Sequence, residues 1–197
     1  PIEKEGLQVY KSSAFDTNVL EEAGLESVGT FLAMTKNEEV NLVLAQRAAE
    51  EFKPPRVLAI YPKSPQHKSQ NGKEKVQQPF ALELNIKSWN KYLSDREVKL
   101  GETVLKQLGF EFQKTHLKAL IGARELMPLL IERQGSLQVL SATENWQPGD
   151  RIIYLLHDPK PKLLKRLSGA QQSNLTIEKY PTVEEVPIPS SVLESEL

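Results

Sequence analysis

The three histidines, His67, His116 and His157, are the side chains best suited to move protons near neutral pH. They lie far apart in the sequence, and none has the His-x-x-x-His spacing that would bring two imidazoles to one metal ion. The chain has no cysteine, no Gly-x-Ser-x-Gly turn and no Gly-rich loop ending in Lys-Ser or Lys-Thr. His157 precedes Asp158, but a His-Asp pair without a nucleophile is more typical of a turn. The sequence therefore predicts no catalytic residue and no metal site.

A denser set of polar side chains follows the apolar run at residues 28–34. Thr35 and Glu38 have the Thr-x-x-Glu spacing of a capping box, and Glu39 adds a second carboxylate at the positive end of a helix. By itself this pattern is typical of a well-capped helix. The alternative is a ligand crevice, because open parallel sheets bind nucleotides where a strand ends and the next helix begins. The spacing does not decide between the two.

The elements that would position these residues alternate along the first part of the chain. The pattern predicts a strand at 7–10, a helix from about Asp16 to Gly24, a strand at 28–34, a helix at 37–52 and a strand at 57–61. Ser12, Ser13 and Asp16 supply the polar residues of the first helix start. This order requires parallel strands with right-handed crossovers, which is the architecture of an α/β domain.

The pattern changes after residue 62. Residues 63–79 have almost nothing to bury and predict a flexible linker between a first domain at 1–62 and a second domain at 80–168. Short strands are predicted at 80–86, 110–112, 129–132, 137–140 and 152–156, with only one or two helical patterns. Such a mixture indicates a small α+β domain. Residues 169–197 read as an acidic, proline-containing tail.

Composition excludes several classes of protein. With 25 basic and 26 acidic residues, the bulk charge indicates no particular partner. The chain lacks a basic surface interleaved with aromatic residues, so we expect no nucleic-acid partner. No apolar run is long enough to cross a bilayer, and the absence of cysteine fits a reducing compartment, so the cytoplasm is the expected location.

Several aromatic and charged residues have structural interpretations. Trp89 and Tyr92 have helical spacing and predict a core or a subunit interface. Glu132 and Arg133 read as a solvated pair, and Asp150 as part of a turn. Lysines in the linker and a short basic helix predicted at 160–167 could contact anionic lipid head groups, although solvation is the more common role of such residues.

Four pieces of the first domain carry a family resemblance: residues 20–28 (Leu-Glu-Glu-Ala-Gly-Leu-Glu-Ser-Val), 30–34, 35–42 (Thr-Lys-Asn-Glu-Glu-Val-Asn-Leu) and 57–61. They resemble the second half of the Rossmann-like TrkA-N domain, which regulates K+ conductance in potassium uptake systems, channels and cation:proton antiporters. Three later pieces, 100–105, 128–137 and 147–156, are similar to the smaller TrkA-C domain that follows it in that family. The resemblance implies a partial Rossmann-like parallel sheet followed by a TrkA-C-like α+β domain.

The resemblance also implies where a ligand would bind. The implied ligand residues are Ser12, Ser13, Ala14, Asp16, Thr35, Asn37 and Asn41, and the implied ligand is NAD or an adenine nucleotide bound by the complete domain. Two features depart from the family. The Gly-x-Gly-x-x-Gly turn is absent and is expected upstream of Pro1, and Ser12-Ser13-Ala14 replaces the Gly-Asp-Ala that many relatives carry beside the adenine.

The resemblance predicts a non-catalytic regulatory domain at the cytoplasmic face of the membrane, part of a sodium or potassium:proton antiporter. It further implies a transmembrane transporter as partner, within the same polypeptide, and a homodimer or higher oligomer with Trp89 and Tyr92 at the interface. Two alternatives remain open. One is a structural assembly domain that binds no ligand, and the other is a peripheral subunit of a potassium uptake system.

Overall fold

The computed structural model describes residues 8–61, 76–82 and 84–158. The chain divides into two compact units, residues 1–79 and residues 80–197. Most of the predicted linker, the predicted basic helix at 160–167 and the predicted tail at 169–197 lie outside the described residues.

The first unit is built around two parallel strands. Its elements are α1 (Thr17–Glu22), a short 3-10 turn (Leu25–Ser27), β1 (Thr30–Ala33), α2 (Glu38–Glu51) and β2 (Arg56–Ala59). β1 and β2 pair in parallel, from Thr30 opposite Arg56 to Ala33 opposite Ala59. This confirms the parallel sheet that the alternating order predicted, although both strands are shorter than expected.

The end of the predicted linker adds to this sheet. Gln77 donates its backbone N–H to the carbonyl of Val57 and accepts the N–H of Ala59, each at 2.9 Å. It therefore lies parallel to β2 opposite Leu58. Residues 76–79 belong to the first unit, and Val76 packs against its core.

The predicted strand at 7–10 is wrong for the residues described. Residues 8–10 form no strand, and Val9 and Tyr10 are exposed. A strand needs a neighbour for its backbone hydrogen bonds, and among the described residues β1 pairs only with β2. The Tyr10 hydroxyl instead donates to the carbonyl of Glu22 at the end of α1.

Small side chains let α2 lie close to the sheet. Ala45 and Ala48 of α2 are buried, as are Ala33 of β1 and Ala59 of β2. Leu44 fills the space between them as part of the same cluster. Because an alanine side chain is a single methyl group, a helix and a sheet that meet through alanines can approach closely.

The described residues of the second unit, 80–82 and 84–158, form six elements: α3 (Ile86–Ser94), β3 (Val98–Val104), α4 (Phe110–Gly122), β4 (Leu126–Arg133), β5 (Ser136–Val139) and β6 (Arg151–His157). Its four strands are all antiparallel, in the order β3-β6-β4-β5. Together with the parallel sheet of the first unit, this confirms the predicted fold class of an α/β part followed by a small α+β part.

Two of the predicted strands in this unit are wrong. Residues 110–112 begin α4, because Gly109 takes a left-handed conformation at the helix start and the helix buries Gln113 and Leu117. Residues 80–86 lead into α3, where Asn85 caps the helix by accepting the N–H of Ser88 at 3.1 Å. Burial of Gln113 and Leu117 outweighs the short β-favouring run at 110–112, and the Asn85 cap outweighs the run at 80–86.

The core of the second unit lies between α4 and one face of the sheet. Its buried members are Leu105, Leu117, Leu126, Ile131, Leu140, Trp146, Ile152 and Tyr154, with Phe110, Leu120, Ile121 and Leu156 packed against them. The even-numbered residues of β6 are therefore the ones that face α4, as strand alternation requires.

Sequence reasoning missed β3 as a strand, and its glycine explains its packing. Gly101 lies opposite Tyr154 on β6. A β-carbon at position 101 would lie 2.5 Å from Cε2 of the Tyr154 ring. The ring thus occupies the space that a side chain would need, and its hydroxyl is 3.2 Å from the Thr103 hydroxyl. The glycine and the aromatic ring form a complementary cross-strand pair.

Replacing Gly101 by alanine should therefore lower the free energy of unfolding by about 1–3 kcal/mol, because the new methyl group overpacks the Tyr154 ring. Chemical denaturation followed by circular dichroism measures this change. Gly122→Ala is the matched control, since a β-carbon there meets nothing within 4 Å and the residue ends a helix. The control should be neutral or stabilising. Equal stability of Gly101→Ala and the wild type would contradict the packing argument.

Candidate functional site

The carboxyl edge of the parallel sheet is organised by one buried amide. Asn41 lies near the start of α2 and is fully buried. Its Oδ1 accepts the backbone N–H of Thr35 at 2.7 Å, and its Nδ2 donates to the carbonyls of Thr35 at 3.2 Å and Ile60 at 2.9 Å. Thr35 follows β1 and Ile60 follows β2, so Asn41 fixes the ends of both strands to the helix. Its amide is used within the fold and is not presented to a ligand.

The start of α2 differs from the predicted capping box. The N-cap is Asn37, whose Oδ1 accepts the N–H groups of Glu39 at 3.1 Å and Val40 at 3.2 Å. The Thr35 hydroxyl accepts the N–H of Asn37 at 3.2 Å and donates to its carbonyl at 3.1 Å. The prediction that Thr35 and Glu38 form the box is therefore wrong. Asn37, two residues after Thr35, accepts the free N–H groups instead, because its short amide side chain reaches them without strain.

The chemistry of this edge follows from these contacts. Thr35 and Asn37 are exposed, and Met34 beside them is 50% exposed. The first turn carries the carboxylates of Glu38 and Glu39, which are attracted to the positive end of the helix. Since those carboxylates and the Asn37 cap already serve the helix start, it is poorly suited to hold a phosphate. Hydroxyl and amide groups of Thr35 and Asn37 are what it can offer an uncharged part of a ligand.

The loop at residues 12–16 is held by helix α2 at a different point. Ser13 accepts the N–H of Phe15 at 3.2 Å, and Asp16 caps α1 by accepting the N–H of Asn18 at 3.1 Å. Arg47 then donates to the carbonyl of Phe15 at 2.6 Å and to the hydroxyl of Thr17. Ser12, Ser13, Ala14 and Asp16 are all exposed.

The predicted ligand residues thus form two groups along α2. Asn37 and Arg47 are ten positions apart, which is about 15 Å along a helix. The structure brings Thr35, Asn37 and Asn41 together at the start of α2, while Arg47 anchors the loop at 12–16 further along. Sequence reasoning missed Arg47. The signal available for it was its i,i+4 spacing to Glu51, with which it pairs at 2.7 Å.

The predicted interface residues have unequal exposure. Trp89 is 5% exposed and is buried within its own unit, so its ring is not available to a second subunit. Tyr92 is half-buried and stacks on His157, with ring centroids 3.6 Å apart. Nε2 of His157 lies 3.3 Å from Oε2 of Glu97. The Tyr92 ring and the Glu97 carboxylate therefore both contact His157, and the Tyr92 contact joins α3 to the end of β6.

Glu132 and Arg133 do not pair with each other as predicted. Arg133 makes a two-pronged contact with the buried carboxylate of Asp150, through Nε and Nη2 at 2.8 Å each. The hydrogen bonds that Arg133 donates to Asp150 raise the pKa of Arg133. Glu132 instead binds Arg151, whose Nη1 also contacts Glu102 at 2.7 Å. Hydrogen bonds first to Glu132 and then to Glu102 raise the pKa of Arg151. Alternation along the strand separates the neighbours onto opposite faces.

Within the described ranges 8–61, 76–82 and 84–158, no three His, Asp or Glu side chains are grouped so that they could hold a metal ion. Over the same ranges, no helix has both the length and the apolar character needed to cross a membrane.

Comparison with known families bears on the first unit. Residues 1–72 match the TrkA-N domain. The match spans both strands and both helices of the described parallel unit, and it agrees with the resemblance drawn from the sequence. A search of curated proteins found no match to the chain.

TrkA-N domains are cytosolic regulatory domains of potassium-transport systems, and they typically bind NAD(H). The match shows that residues 1–72 are similar to that family. It covers only the first unit, and the second unit is described by its fold alone.

The role of Asn41 can be tested by Asn41→Leu, which keeps the side-chain volume but leaves the backbone groups of Thr35 and Ile60 without partners. We expect the free energy of unfolding to fall by roughly 1–3 kcal/mol or more, as for buried groups left unsatisfied. Asn18→Leu on α1, where the side chain is exposed, is the control and should change stability by under about 0.5 kcal/mol. Urea denaturation of both variants measures the difference, and similar midpoints would remove Asn41 from its structural role.

Proposed function

We propose that this chain is a cytosolic regulatory domain of a monovalent cation transporter, specifically a sodium or potassium:proton antiporter. In this proposal it has no catalytic activity. Its ligand occupancy or its assembly biases the gate of a transmembrane partner that belongs to the same polypeptide. The TrkA-N match over residues 1–72 is the observation that carries the proposal.

The geometry of the first unit supports a ligand at the carboxyl edge of β1 and β2. Parallel sheets bind ligands at this edge, and Asn41 holds the two strand ends in a fixed position. Thr35 and Asn37 present polar groups there in an exposed position. The proposed ligand is NAD or an adenine nucleotide, whose uncharged ribose and base fit this edge better than its phosphates do, because Glu38 and Glu39 occupy the first turn.

Regulation by such a ligand requires a difference in affinity between two arrangements of the protein. A ligand that binds one arrangement ten times more tightly shifts the equilibrium by about 1.4 kcal/mol. That is enough to change the open fraction of a balanced gate several-fold. Attachment to a transporter would place the domain at the cytoplasmic face of the membrane.

A second candidate function is a structural assembly domain without a ligand. This candidate is favoured because most polar groups of the proposed site already make hydrogen bonds within the fold. Asn41 is buried and satisfied, Asn37 caps α2, and Asp16 caps α1. A peripheral subunit of a potassium uptake system is the third candidate, and it shares the ligand test below with the antiporter domain.

The ligand proposal is tested by calorimetric titration with NAD, ATP, ADP, AMP and cyclic dinucleotides. Asn37→Ser should weaken binding of the active nucleotide by about tenfold, because it removes the amide while serine still caps the helix. Thermal unfolding of the variant should stay close to that of the wild type, which separates loss of a contact from loss of the fold.

Asn85→Ser is the matched control, since it makes the same exchange at the N-cap of α3 in the second unit. It should leave nucleotide affinity unchanged. Binding that is equal in the wild type and in Asn37→Ser would remove Asn37 from the site. If none of the nucleotides binds, the assembly-domain candidate takes precedence, and sedimentation velocity then measures whether the chain associates.

A further inference from the structure

One side of helix α3 borders a cavity in the second unit. Asn85, Ser88, Trp89 and Tyr92 follow the i, i+3, i+4, i+7 spacing that places residues on one side of a helix. All four line a cavity of about 80 Å³. The end of α4 and the start of β4 also contribute to its walls, so the cavity is built from elements of the second unit alone.

Packing holds the walls of this cavity in place. Leu126, the first residue of β4, lines the cavity and is 2% exposed, and Trp89 is buried as well. The Trp89 ring meets the Tyr92 ring edge-on, with centroids 5.7 Å apart, and Tyr92 also stacks on His157. Because these side chains have fixed neighbours within the fold, the cavity is pre-formed, as most small-molecule sites are.

Two polar groups at the cavity are available to a ligand. Exposure rises along this side of α3 from buried Trp89 through half-buried Ser88 to exposed Asn85, so Ser88 and Asn85 lie toward solvent. Asn85 uses its Oδ1 to accept the N–H of Ser88. Within the described ranges 8–61, 76–82 and 84–158, the Asn85 Nδ2 group and the Ser88 hydroxyl have no hydrogen-bond partner. Both groups can donate, so they suit a ligand oxygen that accepts.

The charges around the cavity favour an uncharged ligand. Among the described residues that line it, Arg124 is the charged one, and it already takes part in an interaction within the chain. A cation therefore finds no carboxylate among these residues, and an anion finds no free guanidinium. Burying an unpaired charge beside Trp89 and Leu126 costs far more than burying a carbonyl group that accepts hydrogen bonds.

The volume of the cavity limits what can enter it. An engineered cavity of about 150 Å³ lined by aliphatic and aromatic side chains binds benzene. The cavity beside α3, at about 80 Å³, is close to half that size. It therefore suits a branched aliphatic group better than a six-membered ring. The polar atoms of such a ligand would remain next to Ser88 and Asn85.

We propose that this cavity binds a small uncharged carbonyl compound with a branched aliphatic end. The aliphatic end lies against Trp89 and Leu126, and the carbonyl oxygen accepts hydrogen bonds from Ser88 and Asn85. The site belongs to the second unit, so it is separate from the nucleotide site proposed for the first unit and does not depend on it.

NMR titration of the full chain with isobutyramide tests the site, because the chain has two tryptophans. Trp89 lines the cavity, whereas Trp146 lies in the core under α4 and is an internal reference. The indole N–H signal of Trp89 should shift and saturate with a Kd of roughly 1 mM, as expected for a ligand of about six non-hydrogen atoms. The Trp146 signal should not move.

Variants of the cavity test its two parts. Ser88→Ala should weaken isobutyramide binding about fivefold, because it removes one hydrogen bond to the carbonyl oxygen. Ser94→Ala is the matched control on the same helix, where the hydroxyl donates to the carbonyl of Asn90, and it should leave the affinity unchanged. Ala81→Leu places three more carbon atoms at the wall and should abolish the ligand-induced shift of Trp89. A Trp146 signal at its wild-type position shows that each variant is folded.

Four outcomes would overturn the inference. If isobutyramide shifts neither indole signal, the cavity does not bind such a ligand, and equal shifts of both signals indicate non-specific binding. Equal affinity of the wild type and Ser88→Ala would remove Ser88 from the site. Tighter binding of isobutyrate than of isobutyramide would reject an uncharged ligand, since the two molecules share the same aliphatic end.

Discussion

The first unit depends on satisfying the backbone groups where two parallel strands end. Such groups leave the ladder of hydrogen bonds and would be buried without partners. Asn41 supplies those partners to Thr35 and Ile60 from a single fully buried amide. Gln113 does the same in the second unit, where its amide binds the backbone of Lys106 and Val104. In each unit, a buried amide on a helix fixes the direction in which the chain leaves a strand.

This constraint shapes the site at the carboxyl edge of β1 and β2. The side-chain amide of Asn41 makes its hydrogen bonds within the fold. The polar residues that a ligand could contact at this edge are exposed and few. Thr35 and Asn37 remain accessible, yet both also order the helix start. The proposed ligand would therefore be held through a small number of polar contacts, which suits the proposed regulatory role, in which occupancy changes with ligand concentration.

In the second unit, packing and charge are separated by strand alternation. The apolar core under α4 contains Tyr154, whose ring fills the space that a side chain at Gly101 would need. The opposite face carries the ion pairs of Arg151 with Glu102 and Glu132. The pair of Arg133 with the buried carboxylate of Asp150 closes the turn before β6 and joins β4 to it. Desolvation makes such a pair a constraint on geometry more than a source of stability.

The sequence by itself determined the elements whose signals are local. The parallel order of the first unit follows from apolar runs that alternate with a helical pattern, and the end of α1 follows from Gly24. What only the tertiary structure decided depends on partners distant in the chain. Residues 110–112 favour a strand locally but form a helix because α4 buries Leu117 against the sheet, and β3 exists because β6 pairs with it. Likewise, the sequence predicts Asn41 as a ligand residue, but in the structure its amide donates to the carbonyl of Ile60, nineteen positions away. Local propensity is worth tenths of a kcal/mol per residue, whereas burial and hydrogen bonding between distant segments are worth about 1 kcal/mol or more each.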